Sequence, residues 1–415
     1  MTPTAGPAGP PPEAAAAPAA RFRGPRADPS GTLAFVESPV QLLNVLEWSY
    51  SGERREEADA PDIAPSSVPT LYDGVPRQPY ETVDAESELP DAQRPPTGLT
   101  VVVLAPHDPM TRGQLRRMAE LARREGHTVR WEEARGGAGA PAQTIAALTP
   151  LLRRASRVVI GDPFSRYVQL LLTIARARDV VVVDDGTATM EFVSQLALGK
   201  RLVRWHRRGG RGARDLLFAP FAASARRRLT PGEGRRVEVF TSMPVQAPPG
   251  VTVTANDFAW TRSAFGPPRL TRGTDLVGTS LVETGVVDLD HYLTAVASLA
   301  RTHGATRYFA HRRESTDKLH RIGGELGLEI VRPDLPLELI ARRGPIGRMI
   351  LSFPSTVVHT LPLALAGTGI TVAVCDVDPA WLTETASPRA EDFLSGVTGT
   401  ARGIRRVPYV PASTL

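Results

Sequence analysis

A chain of 415 residues exceeds what one ordinary core serves and points to two domains with some unstructured sequence. Its 42% hydrophobic content supports packed cores, and the absence of any run of roughly 18–20 apolar residues excludes a helical membrane bundle. The formal net charge of +5 is small for this length, the single cysteine Cys375 excludes an internal disulfide and a Cys-based zinc site, and the Pro/Ala-rich start lacks a secretory pattern, so a cytoplasmic protein is expected.

Residues 1–30 carry Pro and Ala without apolar periodicity and are expected to form a disordered tail. Leu33–Val36 reads as a strand, and Val40–Leu46 as a helix begun by Ser38-Pro39, which supplies an N-cap and a proline at the first helical position. From about Ser51 to Pro96 the pattern dissolves into Pro, Glu, Asp and Ser, and residues 51–96 read as a mobile insertion in which Leu71-Tyr72 and Tyr80 are candidate docking points. A regular alternation follows. Leu99–Leu104, His127–Trp131, Arg157–Ile160 and Val180–Val183 read as strands, and Arg112–Arg124, Ala142–Arg153, Phe164–Arg176 and Thr187–Leu198 as helices.

Between Arg201 and Arg228 arginines accumulate around Trp205, Phe218 and Phe221. The plain reading is a solvated helix face or loop; the sharper one is a surface for an acidic glycan or an anionic membrane. No nucleic-acid motif surrounds these residues, so nucleic acid is not expected as a partner. The alternation pauses from about Thr241 to Pro268 and then restarts. Asp275–Gly278, Arg307–Ala310, Glu329–Val331, Arg348–Phe353 and Ile370–Val374 read as strands, with helices over Asp290–His303, Lys318–Leu326, Pro336–Ala341 and Ser355–Leu365. Short apolar runs between amphipathic helices predict parallel sheets covered on both faces. The expected organisation is α/β, with two facing Rossmann-like domains: residues 31–265, then 266–385, and a C-terminal tail over 386–415.

Ligands of such sheets sit beyond the carboxyl ends of the strands, and three motifs fall there. Asp184-Asp185-Gly186 follows Val181-Val182-Val183; paired carboxylates can yield a general base, although aspartate also caps helices. His311-Arg312-Arg313-Glu314 follows Tyr308-Phe309-Ala310 and suits a leaving phosphate, or else forms a solvated basic turn with Glu314 pairing Lys318. Phe353-Pro354-Ser355-Thr356 places two hydroxyls at a helix start, which suits a phosphate or simple capping. His107-Asp108, Asp162, Ser165 and Arg166 are weaker strand-end candidates for which surface-loop roles are the simpler reading. His359 and Cys375 read as packed residues, and no metal-ligand cluster is evident.

Together the acidic pair with Gly186, His311 and Ser355-Thr356 resemble the bacterial sialyltransferases in order and spacing. Glu37-Ser38-Pro39-Val40-Gln41-Leu42-Leu43-Asn44 and Gly278-Thr279-Ser280-Leu281-Val282-Glu283 are similar to segments of the polysialyltransferase and lipooligosaccharide-sialyltransferase branches. The likeness spans roughly Leu33 to Val374; it departs at Arg312, where the family carries proline, and in the long insertion after Tyr50. The resemblance implies the GT-B architecture, with the acceptor on the first domain and a CMP-activated sialic acid (or related nonulosonic sugar) on the second. It implies an inverting, metal-independent transfer without a cofactor, to a glycan or glycolipid. Asp185 or Asp184 would be the base, with Asp185, nearer the loop, favoured; His311 would be the acid. Ser355, Thr356, Gly278 and Ser280 would hold the donor phosphate, and Ser38, Gln41, Asp162 and Arg166 would lie on the acceptor side. The rivals are an enzyme of the same architecture using another nucleotide sugar, with Asp376 or Asp378 gripping a ribose, and a non-catalytic nucleotide-binding protein.

Overall fold

Fully apolar strands such as Val180–Val183 need cover on both faces, and helices crossing over between parallel strands supply it. The computed structural model describes residues 31–59, 98–137, 139–202, 213–384, 386 and 388–409. In chain order the first half contains β1 (Thr32–Val36), α1 (Pro39–Asp59), β2 (Leu99–Leu104), α2 (Pro109–Arg124), β3 (Thr128–Glu132), α3 (Ala140–Arg154) and β4 (Arg157–Ile160). It continues with α4 (Arg166–Ile174), β5 (Asp179–Val183), α5 (Thr187–Ala197), α6 (Ala213–Arg228), β6 (Arg236–Thr241), β7 (Val251–Ala255) and α7 (Ala259–Ala264). The second half contains β8 (Leu270–Val277), α8 (Leu289–His303), β9 (Ala305–Phe309), α9 (Thr316–Leu326), β10 (Glu329–Val331) and α10 (Leu337–Arg343). It closes with β11 (Ile346–Ser352), α11 (Val357–Ala364), β12 (Thr371–Val374), α12 (Pro388–Thr400) and β13 (Arg405–Arg406).

Two parallel sheets result, which makes the chain α/β with two Rossmann-like units. The first runs β3-β2-β1-β4-β5-β6-β7 and the second β10-β9-β8-β11-β12-β13. Strand order reverses between β1 and β4 in the first sheet and between β8 and β11 in the second. At such a switch point the two connections leave in opposite directions, opening a crevice beyond the carboxyl ends. The β1 loop holds Glu37 and Ser38, the β4 loop Gly161 and Asp162, the β8 loop Gly278 to Ser280, and the β11 loop Ser355 and Thr356.

Several elements differ from their sequence reading. The first helix extends to Asp59 rather than ending near Leu46, with the polar Glu47 and Ser49 buried beside Trp48 and hiding its inner face from an apolar count. The rest of the expected insertion, with Leu71, Tyr72 and Tyr80, lies outside the described residues, as do the N-terminal tail and Trp205. The apparent pause after Thr241 contains β7, a half-buried edge strand whose Thr residues mask its alternation. Residues 388–409, read as part of a tail, instead form α12 and β13; β13 pairs with β12, and Leu394, Val397 and Val407 are buried.

The two halves are docked on each other. Leu335, Leu339 and Ala364 of the second half join the core cluster of Leu42, Leu46, Trp260 and Phe265 in the first. Three side chains fix the contact by reaching backbone carbonyls across it: Gln114 Nε2 to Pro333 O at 2.7 Å, Arg342 Nε to Phe265 O at 3.0 Å and Arg262 to Leu363 O at 3.1 Å. Leu339 is fully buried in that contact. Leu339→Ala is expected to cost about 2–5 kcal/mol in urea unfolding; a loss below about 0.5 kcal/mol would show that the halves do not rest on this residue.

Candidate active site

Where the chain leaves β5, successive side chains point to opposite sides, and the two carboxylates divide accordingly. Asp184 is buried: it accepts hydrogen bonds from Thr241 Oγ1 at 2.6 Å and from Ser242 N and Oγ at 2.7 and 2.8 Å. Burial raises its pKa above the usual carboxylate value. Its backbone carbonyl accepts from Asn44, which in turn is held by Asn256. Asp184 therefore ties β5 to α1 and the loop after β6, and its role is structural rather than that of a base exposed to ligand. Asp185 is half-buried, and its Oδ1 accepts from Gln41 Nε2 at 3.0 Å.

Gln41 is fixed at its other end, with Oε1 accepting the Glu37 amide at 2.8 Å. Its side chain fills the place of a side chain at residue 161, where any Cβ would collide with it, so glycine is required there. Ser38 Oγ accepts from the Gln41 amide at 3.3 Å, which makes Ser38 a turn cap supporting Gln41 rather than a free ligand group. Asp162 accepts from the Phe164 amide, and Ser165 caps α4 while donating to Glu37 at 3.0 Å. Arg166 stacks over the Phe218 ring at 5.4 Å, and Asp108 caps α2 with His107 exposed beside it.

Sequence reasoning missed two groups at this switch point, Glu37 and Arg135. Arg135 forms an ion pair with Glu37 and bonds Leu104 and Ala105 carbonyls. Burial raises the Glu37 pKa, and Arg135 opposes that shift. Glu37 was legible only by its adjacency to Ser38. Arg135 had no local signal, because it arrives from the loop after β3.

In the second sheet Gly278 abuts Glu314 so closely that a Cβ would collide with the carboxylate. Its amide donates to Phe309 O at 2.9 Å, so it is not available to a phosphate as expected. Ser280 is half-buried, with its carbonyl accepting from Thr284. Glu314 and Lys318 do pair, at 2.7 Å, but inside the protein rather than in a solvated turn. Lys318 also donates to Thr279 O at 3.0 Å and lies 3.8 Å from the centroid of Tyr292. Tyr308 donates to Glu314 at 2.6 Å and meets the Tyr292 hydroxyl at 2.8 Å. Glu314 Oε2 accepts the His311 amide at 2.6 Å, so this buried network sets the loop on which His311 stands.

His311 is half-buried, and burial, assisted by the charges of Arg312, Arg313 and Lys318, lowers its pKa to about 4. Its Nδ1 accepts from the Arg313 amide at 3.2 Å, so the neutral ring carries its proton on Nε2. At neutral pH His311 is thus a hydrogen-bond donor; an imidazolium acid requires an arriving anion to raise its pKa.

Ser355 Oγ lies 3.3 Å from Ser352 Oγ, and Thr356 stands at the start of α11 without making a capping bond. Gly186 has φ +67°, and a Cβ there would lie 2.5 Å from Thr356 Oγ1. The acidic turn of the first domain and the hydroxyl turn of the second therefore touch. Behind them Glu338 is buried, accepts from Thr360 Oγ1 at 2.6 Å and is raised in pKa by burial, with the Asp184 charge adding to the shift. His359 is buried with its pKa lowered by burial, and burial pushes the Cys375 thiol up to about 12, away from reactivity. Asp378 caps a short turn through the Ala380 amide, and Asp376 faces Arg406 at 3.5 Å. Among the described residues no group of three or more His, Cys, Asp or Glu side chains is placed to hold a metal ion.

No protein-family model matches the chain, and no curated protein matches its sequence. Among solved structures it is similar to an α/β-galactoside α-2,3-sialyltransferase from Photobacterium phosphoreum, at 7% identity and TM-score 0.43, covering 90% of this chain and 97% of that one. A sialyltransferase from Photobacterium damsela aligns at 10% identity and TM-score 0.37, over 92% of this chain and 82% of that one. The E. coli heptosyltransferase bound to an ADP-2-deoxy-2-fluoro heptose aligns at 10% identity and TM-score 0.36, over 91% and 92%.

Gly186→Ala is expected to destabilise by about 1–3 kcal/mol through its positive φ and its approach to Thr356. Adding Thr356→Ala should recover the part due to contact, and a double-mutant cycle with no coupling would remove the contact from solution. The His311 ring is expected to titrate near pH 4 in the free protein, followed by NMR, and a midpoint at the ordinary 6.5 would contradict its burial. Because that pKa is depressed, the unfolded chain binds more protons between the two values. The stability His311 contributes is full above 6.5 and is lost as pH falls towards 4.

Proposed function

We propose that the chain is an inverting glycosyltransferase that moves a sialic-acid-type sugar from a CMP-activated donor to a hydroxyl of a glycan or glycolipid. The observation that carries this reading is the meeting of the two switch-point turns: Asp185, held by Gln41, adjoins Gly186, and Gly186 packs against Thr356. A base for an acceptor on one domain thereby adjoins hydroxyls suited to a donor phosphate on the other.

In this reading Asp185 takes the proton of the acceptor hydroxyl as its oxygen bonds the anomeric carbon. The bond from that carbon to the CMP phosphate breaks, and CMP leaves with the electron pair. The Gln41 bond to Oδ1 orients the Asp185 carboxylate for that step. Ser355, Thr356 and the Nε2–H of His311 donate to the phosphate as its charge grows, and the approaching phosphate raises the His311 pKa towards a proton-donating range. No metal or cofactor enters this scheme. Asp184 and Gly278 support the two loops, and Ser280 remains a donor-side residue. Asp162 and Arg166 border the acceptor side.

Thermal unfolding with CMP, UDP, GDP or ADP tests the donor. A nucleotide at a hundred times its Kd stabilises by about 2.7 kcal/mol, a rise of a few degrees for a chain of this size. CMP alone is expected to give it; a shift with another nucleotide instead would replace the donor, and no shift with any would count against this reading and against the nucleotide-binding rival alike. With CMP-sialic acid and an acceptor, Asp185→Asn is expected to lower kcat by about 10²–10⁴ while CMP binding stays within a few-fold. Unchanged turnover would remove Asp185 as the base.

A further inference from the structure

At the carboxyl end of the second sheet one cation is left over. Val277 of β8 is level with Phe309 of β9 on one side and with Ser352 of β11 on the other. The His311 turn and the Ser355-Thr356 turn therefore flank the same stretch of the crevice. Glu314 N donates to His311 O at 3.0 Å, which closes a turn with Arg312 and Arg313 at its central positions. The acids beside that turn are already engaged. Glu314 holds Lys318 and Tyr308, while Glu283 accepts the Ser315 amide at 3.1 Å and faces Lys318 at 3.6 Å. Arg313 is exposed, its amide donates to the His311 ring, and no carboxylate pairs with its guanidinium among the described residues.

The catalytic reading leaves an anion over. A sialic-acid-type sugar bears a carboxylate on its anomeric carbon, the same carbon that carries the CMP phosphate. In that reading Ser355, Thr356 and His311 meet the phosphate, and nothing meets the carboxylate. Because both anions branch from one carbon, a group beside an imidazole that touches the phosphate stands beside the carboxylate too. A guanidinium matches a carboxylate with two parallel N–H donors, a geometry that an ammonium lacks. The buried Glu314–Lys318 pair fixes the turn from beneath, so Arg313 springs from a set base.

We infer that Arg313 selects an acidic sugar, its guanidinium donating to the donor's carboxylate while His311 and the hydroxyl turn hold the phosphate. This rests on the reading of a CMP-activated acidic sugar as donor and names the residue that senses the sugar's charge. A neutral nucleotide sugar would give Arg313 no partner.

The two anions are separated by isothermal titration of the full chain with three ligands: CMP, the unreactive donor analogue CMP-3-fluoro-sialic acid, and the methyl ester of that analogue. Arg313→Gln is expected to weaken the analogue about tenfold or more, with CMP and the ester each held within about twofold. The parent should bind the ester about as weakly as the variant binds the acid. Arg313→Lys should recover part of the loss, since it restores the charge without the paired donors. Arg313 is exposed, and unchanged circular dichroism and Tm would establish that both variants fold. Equal weakening of CMP and the analogue by Arg313→Gln would place the guanidinium on the phosphate and overturn the inference. So would an analogue affinity indifferent to the substitution, or a parent that binds acid and ester alike. A parent that binds neither CMP nor the analogue would overturn the donor reading itself, and this inference with it.

Discussion

Neighbouring residues leaving a strand cannot share one environment, and at the end of β5 that constraint falls on two carboxylates. Asp184 turns inward and is held by Thr241 and Ser242, while Asp185 turns towards the crevice and is held by Gln41. Each depends on the other's placement. Without the inward anchor the turn would be free to rotate, and Asp185 would have no fixed direction. The buried carboxylate is tolerable because three donors surround it, at the cost of a pKa pushed upward. Gln41 continues the same logic, since it bonds both the aspartate and the Glu37 amide and leaves its amide group no alternative orientation.

The second domain reaches a comparable fixity with opposite charges. Lys318 and Glu314 are both removed from water, and such a pair contributes little net stability even when its geometry is good. Its use here is positional. Glu314 accepts from Tyr308 and from the His311 amide, so the loop bearing His311 is pinned to the strand beneath it. Lys318 then adds its charge to those of Arg312 and Arg313 around the imidazole. The network that locates the histidine also adds, behind burial, to the lowering of its pKa.

Much of this architecture was legible in the sequence because buried parallel strands are apolar throughout; Val180–Val183 could be placed within a residue or so. Several of the failures share a cause. In α1 and β7 polar residues occupy inward or half-buried positions, and α12 with β13 is short and rich in small and polar residues, so hydrophobic counting ended α1 early and reported no element at the others. At the site, residue types were legible and directions were not. That one of two aspartates must face inward follows from the pleat, but that Gly278 has its amide bonded to Phe309, or that Arg135 reaches Glu37, depends on partners distant in sequence.

The contact between the halves bears on how such a site can work. Two switch points on separate sheets are useful to one reaction only if their loops keep register to a fraction of an ångström. An apolar cluster alone would permit sliding, because burial is non-directional. Here Gln114, Arg262 and Arg342 each donate to a backbone carbonyl of the other half. A bond to a carbonyl locates the main chain itself, whereas a bond between two long side chains would leave it room to shift. Pro333 precedes α10, Phe265 ends α7, and Leu363 lies on α11, the helix that Thr356 begins. The tie at Leu363 thus fixes the far end of the same helix whose first turn meets Gly186. Registration of the two domains and placement of the hydroxyl turn are one structural act.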